Sequence, residues 1–426
     1  MLPPWLTPLT TGPRIPSAPQ AGLVVALTLC AGALSALSAE TAPDPVTVGD
    51  FTLAPAGDLH DDEHRFEFHP KALLGVGYDS DAVPPPTGNG HGDEFAHSIA
   101  GMIMRYHPHP GLDGDLDGEL SRLVYSDHPV LDTTGGLVHA DINRVAPEQT
   151  WHADAGWTRS QESLLTTGEH VDQDLYQTSA HATHDSPDWF VVGDLAAAYL
   201  NYRDGTTEFN SKQGDHATYD LGGRVGAISG DDRRFACLRY EYVRYSVTGR
   251  FNDANGVTAT VGASRQLSPR TELHIEAGGE LRRYADNYLH DTANHDKIAI
   301  APWLDAGGTW SWRDGDRVSA KLYSILGDSI TSNASWSYGA QANAHADLGR
   351  RAGVEAALDV GENRDGGINH SGSTVQRDVI QASASGLYAL AAGLATRLRV
   401  TDVQVQAPES DTYHRVVISV DLAYAY

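Results

Sequence analysis

The chain ends Arg415-Val416-Val417-Ile418-Ser419-Val420-Asp421-Leu422-Ala423-Tyr424-Ala425-Tyr426. Its even positions carry Val, Ile, Val, Leu, Tyr and Tyr, while Ser419, Asp421, Ala423 and Ala425 occupy the odd ones. A period of two is the signature of a β-strand whose two faces meet different surroundings. One face is apolar throughout and the other is polar or small. If that pattern recurs along the chain in segments of about ten residues, the faces read as lipid outside and water inside.

It does recur. Phe66, Phe68, Ala72, Leu74, Val76 and Tyr78 alternate with Glu67, His69, Lys71, Gly75 and Asp79. Trp151, Ala153, Ala155 and Trp157 alternate with His152, Asp154 and Thr158, and Leu273, Ile275, Ala277 and Leu281 with His274, Glu276, Glu280 and Arg282. Eighteen segments emerge, at 64–79, 94–107, 115–126, 136–146, 150–160, 173–185, 189–203, 215–228, 233–247, 257–267, 271–285, 297–313, 317–327, 332–348, 352–363, 375–390, 394–405 and 411–426.

The connections alternate between short and long. Ala391-Ala392-Gly393, Gly349-Arg350-Arg351, Asp314-Gly315-Asp316, Ser268-Pro269-Arg270, Ser229-Gly230-Asp231-Asp232, Ser186-Pro187-Asp188 and Pro147-Glu148-Gln149 have turn chemistry. Between them run longer polar stretches at 80–93, 161–172, 204–214, 286–296 and 364–374. A soluble sandwich has no reason to keep that phase, whereas a membrane barrel requires it. The sequence therefore predicts an all-β, transmembrane, antiparallel up-and-down barrel of about eighteen strands over residues 64–426. Aromatic girdles are expected at one end from Phe66, Phe68, Trp151, Trp189, Trp310, Trp312 and Tyr388, and at the other from Tyr78, Trp157, Tyr202, Tyr240, Tyr242, Trp336 and Tyr338.

The front end reads differently. Leu23 to Leu29 is an apolar run followed by the small residues Ala33, Ser35, Ala36, Ser38 and Ala39. That is the layout of a secretory signal peptide over residues 1–39, with an uncleaved anchor as the competing reading. Residues 40–63, rich in Pro and acids, are expected to form a flexible leader, with a short plug into the barrel as the alternative. Only Cys237 lies beyond the signal segment, so no internal disulfide is expected to hold the fold. With 30 basic against 56 acidic residues, nucleic acid is excluded as a partner, because phosphate binding needs clustered Lys and Arg.

Inward positions hold charges of both signs. Arg239, Glu241, Glu272, His274, Glu276, Glu280, Arg282, Asp305, Arg397 and Arg399 are the candidate lumen-lining residues. The third long loop, 161–172, carries Glu162, Glu169, His170 and Asp172, which are candidates for narrowing a pore. No cofactor or metal site is expected. Asp113 to Gly118 begins like a calcium loop, but Val124 stands where a bidentate Glu is needed, so it reads as a polar turn entering a strand. Gly-x-Ser-x-Gly, paired-cysteine and phosphate-loop patterns are missing, which argues against an enzyme.

Two resemblances bear on function. The final strand, with Tyr424 and Tyr426, resembles the assembly signal of bacterial outer-membrane barrels. That likeness implies the barrel-assembly machinery as a partner, outer-membrane lipid and lipopolysaccharide as surroundings, and periplasmic N- and C-termini. The stretch FEFHPKALLGVGYDSDAV resembles the opening of outer-membrane β-barrel porins found beside exopolysaccharide genes, through Pro70, Gly77, Tyr78, Asp79 and Ser80, with Asp81 in place of the usual Asn. This second likeness implies passage of small solutes or polysaccharide. The expected function is a passive channel or a part of exopolysaccharide export. The alternative is a non-conducting surface scaffold or adhesin with a filled lumen.

Overall fold

A computed structural model describes residues 46–48, 51–53, 56, 59–60, 66–83, 91–109, 111–163, 170–203, 215–246, 252–285, 297–313, 315–329, 333–370, 375–406 and 413–426. Residues 1–39, read above as a signal peptide, lie outside them. The leader contributes three short strands, β1 (Val46–Val48), β2 (Phe51–Leu53) and β3 (Leu59–His60). The wall begins with β4 (Phe66–Val83), β5 (His91–His109), β6 (Leu112–Tyr125), β7 (Thr133–Ala146), β8 (Gln149–Ser163) and β9 (His170–Asp185). It continues with β10 (Trp189–Tyr202), β11 (His216–Ser229), β12 (Asp232–Tyr245), β13 (Ala254–Ser268), β14 (Thr271–Tyr284) and β15 (Ile298–Arg313). The last six strands are β16 (Asp316–Ser329), β17 (Asn333–Asp347), β18 (Ala352–Asp365), β19 (Gln376–Ala391), β20 (Leu394–Gln406) and β21 (Tyr413–Ala425).

Each wall strand pairs antiparallel with its sequence neighbours, and β21 pairs with β4 from Lys71↔Ala425 to Asp79↔Val417, which closes the barrel. All eighteen segments read from alternation are wall strands. The outer surface is apolar: Leu120 is 70% exposed, Val261 66% and Leu221 60%. A band of such side chains around a closed wall is stable against lipid and not against water. No helix among the described residues is long and apolar enough to cross a membrane; the apolar band is carried by strands. Exposed Trp151, Trp189, Trp310 and Tyr388 mark the end with the short turns, here the turn end. Tyr78, Tyr176, Tyr199, Tyr219 and Tyr240 mark the opposite, loop end.

Two expectations are corrected. The stretch Asp113 to Gly118 is no turn but lies within β6, and Gly111 stands in the turn just before that strand. Gly111 has φ +82°, which a side chain would strain. Its polar look comes from Asp113, Asp115 and Asp117, which share the inner face. Tyr202 does not belong to the outer girdle. Trp189, Val191, Leu195 and Tyr199 are the exposed positions of β10, and Tyr202 has the opposite parity in a strand whose register runs unbroken to Tyr202↔Gln173. Tyr199 takes its place.

The lipid face makes a direct prediction. Val261→Arg at mid-height on β13 should destabilise the barrel by about 2–4 kcal/mol in lipid, while Thr258→Arg on the inner face should cost under about 1 kcal/mol. Urea unfolding from vesicles checks this. Equal effects would mean that the exposed face is not in lipid.

Candidate functional site

The lumen wall is divided by charge. On β6 to β10 the inward positions carry Asp113, Asp115, Asp117, Glu119, His139, Asp141, His152, Asp154, His181 and Asp194. Among the described residues no Lys or Arg projects inward from these five strands; Arg122, Arg144 and Arg159 have the outward parity. Asp115 faces Asp141, and Asp141 faces Asp154, across neighbouring strands. Help comes from strands outside the five: Lys71 of β4 lies 2.7 Å from Asp117 and 2.6 Å from Glu119, Arg105 of β5 lies 3.9 Å from Asp115, and Arg233 of β12 lies 3.5 Å from Asp185 of β9. The histidines sit among the acids, His181 2.6 Å from Asp194, with His139 and His152 at 4.0 and 3.9 Å from Asp154.

Halfway round the ring from β8 lies β17, and that side is basic. Arg317, Lys321, Arg397 and Arg399 project inward from β16 and β20, with Glu355 and Asp359 between them on β18. Arg317, Asn343, Glu355, Ser385, Arg397 and Arg399 line a polar pocket of about 420 Å³. Opposed charges on facing walls set up a field across the lumen, which acts strongly where water is confined.

One stretch of the wall departs from the ladder. Pairing between β15 and β16 stops at Leu304↔Ser324. The next residue of β15 whose carbonyl points toward β16 is Pro302, which accepts from Ser324 Oγ at 2.6 Å. Its missing N–H cannot continue the ladder. Beyond it the tip of the β16–β17 hairpin turns into the lumen. Leu326 and Ala334 bury against Val243, Tyr245, Ala254, Tyr284, Ala299 and Ala301 of β12 to β15. The backbone N–H of Leu326 donates to Glu280 at 3.1 Å, and Asn252 Nδ2 donates to Asn333 Oδ1 at 3.0 Å.

Asp328 pins this tip. It accepts from Arg282 Nη1 at 2.7 Å, Tyr245 Oη at 2.8 Å and Tyr284 Oη at 3.2 Å. Arg282 also contacts Glu241 at 2.5 Å and Glu280 at 3.3 Å. One buried guanidinium thus balances three carboxylates. The edge of β15 that β16 deserts is covered from the β18–β19 connection. Ile300 N–H donates to Asn369 Oδ1 at 2.9 Å, Asn369 Nδ2 donates to Ile298 O at 2.7 Å, and Ile368 N–H donates to Ile300 O at 2.8 Å. The approach needs Gly367, where a Cβ would lie 2.3 Å from Ile300 O.

The candidate lumen residues fall as follows. Glu241, Glu280 and Arg282 meet in the cluster around Asp328. Glu276 pairs with Arg224 at 2.9 Å and accepts from Thr260 Oγ1 at 2.5 Å. His274 and Lys321 each lie 3.0 Å from Asp305, and Arg397 lies 3.1 Å from Asp421. Arg239 and Arg399 share the inner face of their strands but stand apart from that cluster, and Glu272 sits at the turn end of β14. Asp328, Tyr245, Tyr284, Pro302 and Asn369 were missed by the sequence reading, and Pro302 inside a strand is the one signal that marked the place.

Of the expected narrowing loop, Gln161–Ser163 and His170–Asp172 extend the β8–β9 ladder. Asp172 accepts from Gln161 Nε2 at 3.3 Å and Thr133 Oγ1 at 3.2 Å. Glu169 lies outside the described residues. At the other end of the chain, Tyr424 pairs with Ala72, and Tyr426 N–H donates to Pro70 O at 2.9 Å, so both terminal aromatics sit at the closing seam.

Arg282→Met should destabilise the barrel by about 3–5 kcal/mol, because it strands Asp328, Glu280 and Glu241 without a counter-charge. Denaturant unfolding in detergent checks this. A loss under about 1 kcal/mol would mean that water, not Arg282, compensates the three acids.

No protein-family model matches the chain, and no curated protein matches it. Among solved structures it is similar to the outer membrane protein OpdK of Pseudomonas aeruginosa at 9% identity, covering 84% of this chain and 98% of that one with a TM-score of 0.46. It is similar to OccK9 (OpdG) of the same organism at 11% identity, with 84% and 98% covered and a TM-score of 0.46. It is also similar to the siderophore receptor PiuA of Acinetobacter baumannii at 9% identity, with 87% and 82% covered and a TM-score of 0.46.

Proposed function

We propose that this chain is a bacterial outer-membrane channel for small hydrophilic solutes, with its turn end in the periplasm and a preference for cations. The observation that carries this reading is the lumen wall of β6 to β10, rich in carboxylates and without an inward Lys or Arg among the described residues. A closed barrel of this strand number encloses an aqueous passage unless something fills it. An acidic wall concentrates cations along one side of that passage, and the arginines of β20 offer a counter-path for an anionic group on the same solute. The same wall would repel a polyanion, so within an exopolysaccharide setting the reading favours a neutral polymer or a small solute.

The inward β16–β17 tip supports the second reading, a filled scaffold barrel, because it occupies lumen space near the loop end. Single-channel recording in planar bilayers separates the two. Stable steps with a reversal potential on the cation side are expected. Silence from protein that is heat-modifiable, and so correctly folded, would sink the channel. With Asp141→Asn, Asp154→Asn and Asp194→Asn combined, the cation/anion permeability ratio should fall several-fold with little change in folding. An unchanged ratio would show that the acidic wall does not line the route taken by ions.

A further inference from the structure

The lipid face of the barrel is not uniformly smooth. Toward the turn end of β7 to β10 it holds a trough of about 460 Å³. The floor is Ala153 of β8, Ala180 and Ala182 of β9, and Gly193 of β10, which share the outward parity. Ile142 and Trp151 stand along one rim, 51% and 55% exposed, and Leu195 and Leu221 along the other, 58% and 60% exposed. Small side chains between large ones leave a hollow that follows β9. In lipid such a hollow must be filled, because its lining otherwise forfeits dispersion contacts.

A charge marks the turn-end mouth of this trough. Arg144 of β7 stands there in register between Leu112 and Trp151, and it is exposed. It has no carboxylate partner among the described residues. Asp232, an outward carboxylate at the same end of the barrel, is already shared by Arg265 at 3.3 Å and Arg234 at 3.6 Å. A guanidinium beside a Trp at the edge of an apolar band lies at head-group depth, with its stem along the apolar surface.

We propose that the trough binds one phospholipid of the turn-end leaflet, with an acyl chain over Ala180 and Ala182 and the phosphodiester on Arg144. An extended chain follows a straight hollow, and a planar guanidinium donates two N–H bonds to one phosphate. A second copy of the barrel fits less well, since its convex wall would rest on the rims and leave the floor empty. The site depends on the outer face lying in lipid and not on whether the lumen conducts.

The barrel carries its own control. Ala344 of β17, Ala356 of β18 and Ala384 of β19 floor another outward trough, of about 430 Å³, which no Lys or Arg lines. The two hollows are alike in size and apolar lining and differ in the cation.

The probe is palmitoyl-oleoyl phosphatidylglycerol, titrated into the full chain in detergent and followed by native mass spectrometry. One molecule should bind more tightly than those that follow. Arg144→Gln should weaken that first binding about fivefold, the worth of one basic side chain beside an anionic lipid. Ala180→Leu, which raises the floor, should weaken it to a similar degree, and Ala384→Leu should leave it unchanged. All three substitutions lie on the lipid face, and heat-modifiability verifies that each variant is folded. First binding that is equal in the unaltered chain and Arg144→Gln overturns the site. So does binding that Ala384→Leu weakens as much as Ala180→Leu. A defined oligomer that Ala180→Leu disperses also overturns it, because the trough would then belong to a second copy.

Discussion

In the hydrocarbon of a bilayer a backbone N–H or C=O has no water to fall back on, so every one must find a partner within the chain. The rest of this structure follows from that requirement. It obliges the last strand to meet the first, at the seam where Leu74 faces Leu422 and Tyr78 faces Ile418. It also explains why the interruption of the ladder between β15 and β16 is so closely managed. Pro302 withholds a donor from β16, the deserted edge of β15 would expose Ile298 and Ile300, and Asn369 with Ile368 supplies what is missing. A side-chain amide has the same donor and acceptor as a peptide group, which makes Asn the residue able to stand in for a strand.

Once the wall is closed, its inner face is free to carry charge, and the distribution of that charge is uneven. Carboxylates gather on β6 to β10, where Asp115, Asp141 and Asp154 face one another across strands and the cations that approach the acids come from strands outside these five. On β12 and β14 the acids are instead gathered around Arg282 and Arg224. The two arrangements do different things. A carboxylate held by a buried guanidinium fixes structure, as Asp328 does for the inward tip. A carboxylate without such a partner leaves its field in the lumen, where confined water screens it weakly.

The wall was legible in the sequence because lipid outside and water inside impose opposite demands on alternate residues, as in Leu273 to Arg282. The turn end was legible for a similar local reason, since Gly and Pro preset its reversals. Errors arose where polarity was read without parity. The acids of Asp113 to Asp117 suggested a turn but form one face of a strand, and Tyr202 was grouped with Trp189 although the two cannot share a face of an unbroken strand. The inward positions of Glu241, Glu280 and Arg282 could be read off alternation. Their meeting with Asp328 could not, because it depends on a hairpin tip leaving its own place in the wall to cross the lumen. Leu73, Ile103 and Ala423 likewise look like exceptions to a polar lumen until Leu53, which packs against them from outside the wall strands, is seen.

Asn369 also gives the wall a chemical lifetime. Hydrolysis of that single amide to a carboxylate would remove the donor that serves Ile298 O and set a negative charge against a carbonyl oxygen. That carbonyl, beside the membrane, would then lose its match without any change in the encoded sequence, while the new carboxylate could still accept from Ile300 N–H. The integrity of the upper edge of β15 thus rests on a covalent bond that ages, at a point where every neighbouring contact in the wall rests on hydrogen bonds that simply re-form.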